Sequence, residues 1–228
     1  MLTDQERADI AATIAAAEAR TSGEIYCVLA AQSSDYRETP LAWAAGAALL
    51  GPALLLLLGV DVRAPAAITG WTAVQVGAAA ETAVRAALIG AILLQAVLFA
   101  GVGLLVGWRP LRLLLTTPGL KAERVRQRAQ ELFLSKGVHE TAERTGLLVY
   151  VSLAEHRVEL VADEAIDAVV EPGAWSAIVA ELVKELRLGR PAQGLVETAA
   201  RCGDLLARHF PPGALNANEL SDEIVELH

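Results

Sequence analysis

Leu41 to Val60 reads LAWAAGAALLGPALLLLLGV, and Ala86 to Trp108 reads AALIGAILLQAVLFAGVGLLVGW. Neither stretch holds a charged residue, and neither keeps a polar face. The first lies in a 22-residue uncharged interval between Glu38 and Asp61, and the second fills the 23 residues between Arg85 and Arg109. A helix of that length rises roughly 33 Å, close to the ~30 Å of a bilayer's hydrocarbon core. A buried helix of a soluble protein usually retains a polar side, so the two runs predict transmembrane helices at 39–60 and 86–108. Pro52 and Gln95 are isolated interruptions that spanning helices tolerate.

Segment 61–85 between the runs is rich in Ala, Gly and Thr and poor in Leu, and it is expected to be an external loop or surface-lying segment. Trp71 and Trp108 are placed to sit at a membrane interface. Basic residues fix the expected orientation. Arg109, Arg112, Lys121, Arg124, Arg126 and Arg128 follow the second run and Arg37 precedes the first, whereas the loop offers Arg63 and Arg85. The positive-inside rule then puts both termini in the cytoplasm of a cell (inner) membrane protein. Residues 1–22 carry six scattered charges and lack the apolar core of a signal peptide.

Composition agrees with that class. Hydrophobic residues make up 54% of the 228, aromatics 4%, and the net charge is −8. An acidic chain without a basic stripe is not expected to bind nucleic acid, which requires cations to displace counterions. Cys27 and Cys202 fit no metal spacing, and each lies in an apolar run, which reads as a buried free thiol.

The flanks read as an α/β domain. Thr3 and Glu6 have capping-box spacing, and Ile10 and Ile14 lie on one face of the helix that follows. Glu24 to Ala30 is apolar on both faces, as an interior strand is. Beyond the break at Pro118-Gly119, a helix is expected from about Lys121 to Ser135. Val125, Ala129, Leu132 and Phe133 form its buried stripe, with Lys121, Arg124 and Arg128 on the opposite face. Those three are candidates to face anionic lipid headgroups. Leu147 to Ser152 reads as a second buried strand, joined through Ala154–His156 to an alternating edge strand, Arg157 to Ala162. Trp175, Ile178, Val179, Leu182, Val183 and Leu186 mark an amphipathic helix ending at Gly189. A last helix from Pro191 to about Phe210 buries Leu195, Ala199, Cys202 and Leu206. The acidic tail 213–228 is expected to pack loosely. The first flank, 1–38, holds too little apolar surface to fold alone, so it is expected to join 109–212 in one domain.

The runs Thr3-Asp4-Gln5-Glu6-Arg7, Arg20-Thr21-Ser22-Gly23-Glu24-Ile25, Leu132-Phe133, Arg144-Thr145-Gly146-Leu147-Leu148-Val149-Tyr150-Val151-Ser152 and Arg157-Val158-Glu159-Leu160 resemble TPM domains over roughly 1–31 and 118–210. The resemblance implies a TPM-like three-layer α/β sandwich with a small mixed sheet, interrupted here by a two-helix transmembrane hairpin. It also implies a role in the upkeep or modulation of a membrane complex, since members of the family are linked to that work and some plant members are described as acid phosphatases. The chain departs from the family pattern in two places. Thr145 stands where members commonly carry an acidic residue or Asn, and Ala162-Asp163-Glu164-Ala165-Ile166 replaces a glycine-rich turn.

No Ser-His-Asp set, phosphate-cradling loop or zinc spacing is present in the sequence, and no cofactor is expected. His139, His156, His209 and His228 have no i,i+4 partner among themselves. Glu24 is a candidate for a crevice at the strand ends. Arg144, Arg157, Asp163 and Glu164 are candidates to gather at the hairpin's ends as an anion or cation site. The expected function is a non-catalytic membrane protein that binds another membrane protein, with a weak metal-assisted acid phosphatase as the alternative.

Overall fold

A computed structural model describes residues 2–59, 73–212 and 218–227. The chain divides into two compact units: residues up to Asp35 together with those from Pro118 onward, and the intervening 36–117.

In the first unit, helix α1 (Asp4–Glu18) opens on the expected capping box. The Glu6 N–H donates to Thr3 Oγ1 at 3.2 Å, and the Thr3 N–H donates to Glu6 Oε2 at 2.7 Å. Strand β1 (Glu24–Ala30) is buried along its whole length, as is β2 (Gly146–Ser152). The two pair in parallel, Glu24 opposite Gly146 and Ala30 opposite Ser152. Strand β3 (Arg157–Ala162) returns antiparallel to β2, through a turn in which His156 takes a positive φ of 48°.

The expected loose tail is corrected. Residues Val225–Leu227 form a strand, β4, parallel to β1, and the sheet order is β3-β2-β1-β4. Its three residues have no periodic signature of their own; their hydrogen bonds come from the open edge of β1.

Alternation along the strands divides the core. Ile25, Cys27, Leu29, Leu147, Val149 and Val151 face α1, α7 (Pro172–Arg187) and α8 (Pro191–His209). Tyr26, Val28, Leu148 and Tyr150 face α5 (Pro118–Ser135) and the 3₁₀ turn at Val138–Glu140. Helices on both faces of a mixed sheet make the three-layer sandwich expected from the sequence. Helix α5 starts at Pro118 rather than beyond it, since proline suits a helix's first turn, where its missing N–H costs nothing. Its basic row is also corrected. Lys121, Arg124 and Arg128 are half-buried beside Val125 and Ala129, and the exposed side is Glu123, Arg126, Gln127 and Gln130. At 100° per residue, positions 121, 124 and 128 fall within 60° of one another and next to the 125/129/132 stripe.

The second unit holds α2 (Glu38–Leu57), α3 (Ala73–Gly107) and the short α4 (Arg109–Leu115). Pro52 sits inside α2. The expected loop 61–85 is corrected from Ala73 onward: an alanine-rich run without proline continues the helix into the apolar stretch. Residues 61–72, with Trp71, lie outside those described. Helices α2 and α3 pack through small residues. A Cβ on Gly51 would meet Leu98 Cδ1 at 2.6 Å, and one on Gly103 would meet the Ala44 Cβ at 3.6 Å. Thr39 and Thr116 hydroxyls hydrogen-bond at 2.9 Å, and Trp43 Nε1–H donates to the Leu115 carbonyl at 3.3 Å.

Candidate functional site

The parallel pairing of β1 and β2 gives the sheet two chemically distinct ends. At the amino end stand Glu24, Arg144, Asp163 and Glu164. Asp163 follows β3, and its N–H donates to the Gly146 carbonyl at 2.9 Å, which ties the end of β3 to the start of β2. Asp163 is the N-cap of α6 (Glu164–Asp167), its Oδ1 accepting from the Glu164 N–H at 2.8 Å. Its Oδ2 is buried and accepts no hydrogen bond. Arg144 holds a left-handed φ of 58°, strained for a residue with a side chain. Its guanidinium lies 3.9 Å from Asp163 Oδ2 and 3.9 Å from Glu164 Oε2, and it also donates to the His139 carbonyl. Burial, and then the charge of Asp163, pushes the Asp167 carboxyl above its ordinary value. Asp163 and Glu164 are therefore joined to Arg144 by long ion pairs, with the arginine half-exposed.

Arg157 does not belong to it. It opens β3 opposite Ser152, at the far end of the strand, and donates to the Pro118 carbonyl at 3.1 Å. Strand residues rise about 3.3 Å each, so the first and last residues of a six-residue arm cannot meet. Glu24 does not open on a crevice either. It is buried, and its carboxylate accepts the Leu220 N–H at 3.2 Å. Burial chiefly raises its pKa, opposed by the Leu220 and Glu219 amides. The segment leading to β4 covers it.

Four residues that sequence reading missed meet at the carboxyl end. Ser33, just past β1, bonds the Tyr150 hydroxyl at 2.9 Å and donates to Ser152 Oγ at 2.8 Å. Ser152 donates to Glu155 Oε2, and the Ser33 N–H approaches Glu155 Oε1 at 3.2 Å. Tyr150 and Ser152 are fully buried. Burial raises the tyrosine's pKa, against the pull of Ser33 and Arg128. The signal available in sequence was polar Gln32-Ser33-Ser34 directly after an all-apolar strand. In a parallel pair the carboxyl ends lie together, which brings that triplet to Ser152. The network is hydrogen-bonded within itself and locks the two strand ends.

Cys27 and Cys202 are free and buried in the core shared by β1 and α8. Burial pushes the Cys27 thiol up to about 12 and Cys202 higher still, so neither supplies a thiolate. Among the described residues, no group of three or more His, Cys, Asp or Glu side chains is disposed to hold a metal ion.

The sandwich, with its mixed sheet and the order strand, hairpin, helices, is a three-layer α/β domain. Residues 113–205 match the family model described as the TPM domain, so the chain carries a TPM domain. The match covers the second flank, and the structure adds the first flank to the same sheet. A solved structure with the same fold is the NMR structure of BA42 protein from the psychrophilic bacterium Bizionia argentinensis. It is 18% identical, with a TM-score of 0.55, over 99% of this chain and 95% of that one. None of the curated proteins matches the chain.

Proposed function

We propose that the protein is an integral membrane protein that holds its TPM domain at the cytoplasmic face, where the domain binds another membrane protein in the upkeep of a membrane complex without doing chemistry itself. The observation that supports the anchor is the surface of α2 and α3. Both are long and apolar enough to span a bilayer, and only 6% of each apolar window is buried. Leu57, Leu104 and Leu49 are 85%, 81% and 71% exposed. At ~25 cal/mol per Å² such surfaces are strongly unfavourable in water, and hydrocarbon is the medium that suits them.

A second reading, a weak metal-assisted acid phosphatase at Asp163 and Glu164, is favoured by one observation: the buried Asp163 Oδ2 accepts no hydrogen bond. One experiment separates the two. Detergent-purified protein is assayed against a generic phosphomonoester with and without divalent metal, and native membranes are cross-linked and the partners identified. The interaction reading expects no turnover and a recurrent membrane-protein partner that is lost when the TPM domain is disrupted. Metal-dependent turnover abolished by Asp163→Asn establishes the phosphatase and sinks the interaction reading.

A further inference from the structure

The outer edge of β1 is completed by a segment far from it in the chain. Segment 218–227 carries Glu219, Asp222, Glu223 and Glu226 and no basic residue. Its last three residues, β4, pair in parallel with Val28, Leu29 and Ala30, and the Ala31 N–H donates to the Leu227 carbonyl at 2.8 Å. The side chains are received as those of a bound peptide are. Glu226 Oε1 accepts from Arg7 Nε at 2.8 Å, and its Oε2 accepts the Leu2 N–H at 3.4 Å. Glu219 Oε2 accepts the Ala142 N–H at 2.9 Å, and the Leu220 N–H donates to Glu24 Oε2 at 3.2 Å. Ile224 enters the core on the α1 side of the sheet, while Leu220, Val225 and Leu227 pack on the α5 side.

These are the two components of strand addition: main-chain bonds to a sheet edge hold the guest, and side chains at alternate positions select it. Charge is complementary, with carboxylates on the segment meeting a guanidinium and two backbone donors on the domain. The hold is also short. A three-residue ladder of half-buried residues belongs to the part of a domain that opens before its core does. We propose that the edge of β1 is a docking groove for an acidic extended segment of a partner protein, and that segment 218–227 is the resident ligand which such a segment displaces. The guest runs parallel to β1 and presents a glutamate to Arg7 between two aliphatic residues, as Val225-Glu226-Leu227 does. The resident segment competes at an effective concentration on the order of mM because it is tethered. A guest held in the same membrane gains the same advantage, and the inference rests on the domain being the binder of such a protein.

The test uses the full-length protein in detergent and a fluorescent peptide of sequence 218–227 as the guest, followed by anisotropy. Glu226→Lys sets a cation against Arg7 and loosens the resident segment. That variant should bind the peptide about tenfold or more tighter than the wild type does. A peptide with Lys in place of Glu226 should bind the same variant about tenfold or more weakly than the native peptide. In the Arg7→Glu variant the preference should reverse, with the Lys peptide the tighter of the two. A general loosening of the fold does not exchange these signs. No binding of the native peptide to the Glu226→Lys protein at about 1 mM, equal binding of the two peptides, or no reversal in Arg7→Glu overturns the groove. A wild type that is dimeric in the same detergent, and monomeric with Glu226→Lys, assigns the edge to a second copy of the chain and overturns the partner. No partner enters the assay, so failure here leaves the proposed binding of a membrane protein to its own cross-linking test.

Discussion

A Cβ placed on Gly203 of α8 would lie 2.4 Å from the Cβ of Ala17 on α1. The two helices therefore touch backbone to backbone, and Gly203 sets their spacing. Adding one methyl forces α1 away from the sheet it covers. Gly203→Ala is expected to destabilise the protein by about 1–3 kcal/mol, the range for overpacking a tight core. Thermal midpoints in detergent check this, with Gly119→Ala as the control, because a Cβ there meets nothing within 4 Å.

Gly146 is a stricter case. A Cβ there would stand 2.0 Å from the Val138 carbonyl oxygen. That neighbour is backbone, which cannot swing aside as a leucine tip can. Gly146→Ala should cost more than Gly203→Ala, read as a lower thermal midpoint and a lower yield of folded protein in detergent, with the two variants measured side by side. A smaller loss at Gly146 than at Gly203 would contradict the assignment of Gly146 as a backbone contact point.

Stability should depend on pH through Glu18. Burial raises its folded pKa to about 8, above the ordinary 4.5 of a free glutamate. Between those values the folded chain binds a proton that the unfolded chain does not. Stability therefore falls as pH rises from about 4.5 to about 8 and is flat beyond, with a ceiling on the order of 5 kcal/mol. Glu18→Gln needs no proton, so it should raise the thermal midpoint at neutral pH and flatten the slope. A midpoint unchanged by the substitution at neutral pH would remove Glu18 as the cause.

The anchor and its orientation are tested in cells. The protein should stay in the pellet after alkaline washing of membranes. A reporter active only in the cytoplasm should work when fused after residue 228 and fail when inserted near Thr69, which lies outside the described residues. The reverse pattern would invert the orientation argued from Arg109 to Arg128.

Lys121, Arg124 and Arg128 keep a narrower prediction now that they border the buried stripe. Arg128 pairs with Glu131 at 3.1 Å and Arg124 approaches Gln127 at 3.5 Å. Each cation near an anionic surface contributes about 1 kcal/mol. In nanodiscs of acidic lipid, α5 should show slower amide exchange than in neutral discs. About 0.5 M salt should erase the difference by screening, as should Gln at all three positions. Equal exchange in both lipids would mean that the row is a solvated border.

Strands β1 and β2 were legible because unbroken apolar runs bounded by turns describe interior strands, and α7 because its stripe repeats at helical spacing. The capping box was legible because it is local. What escaped depends on pairing across the chain. Ser33 meets Ser152 only through the register that sets Ala30 beside Ser152, and no local pattern encodes that register. Strand β4 was invisible for the same reason, since three residues gain their identity from β1. Grouping Arg157 with Arg144 and Asp163 was a different kind of error. Counting along the hairpin arm already separates its two ends.

Strands β1 and β2 are neighbours in the sheet, yet both long apolar helices, α2 and α3, lie between them in the chain. During synthesis at about 5–20 residues per second, β1 therefore waits roughly 6–25 s for its partner. For that interval a strand that is hydrophobic from Ile25 to Ala30 stands with both edges open, beside the two apolar helices that the proposed anchor threads into the bilayer. If α2 and α3 span the bilayer as proposed, the sheet closes only after the second span has returned the chain to the side where the first began. Under the proposed anchor, assembly of the soluble domain reports completed insertion: a chain whose second helix fails to cross leaves β1 and β2 on opposite sides of the membrane, unable to pair.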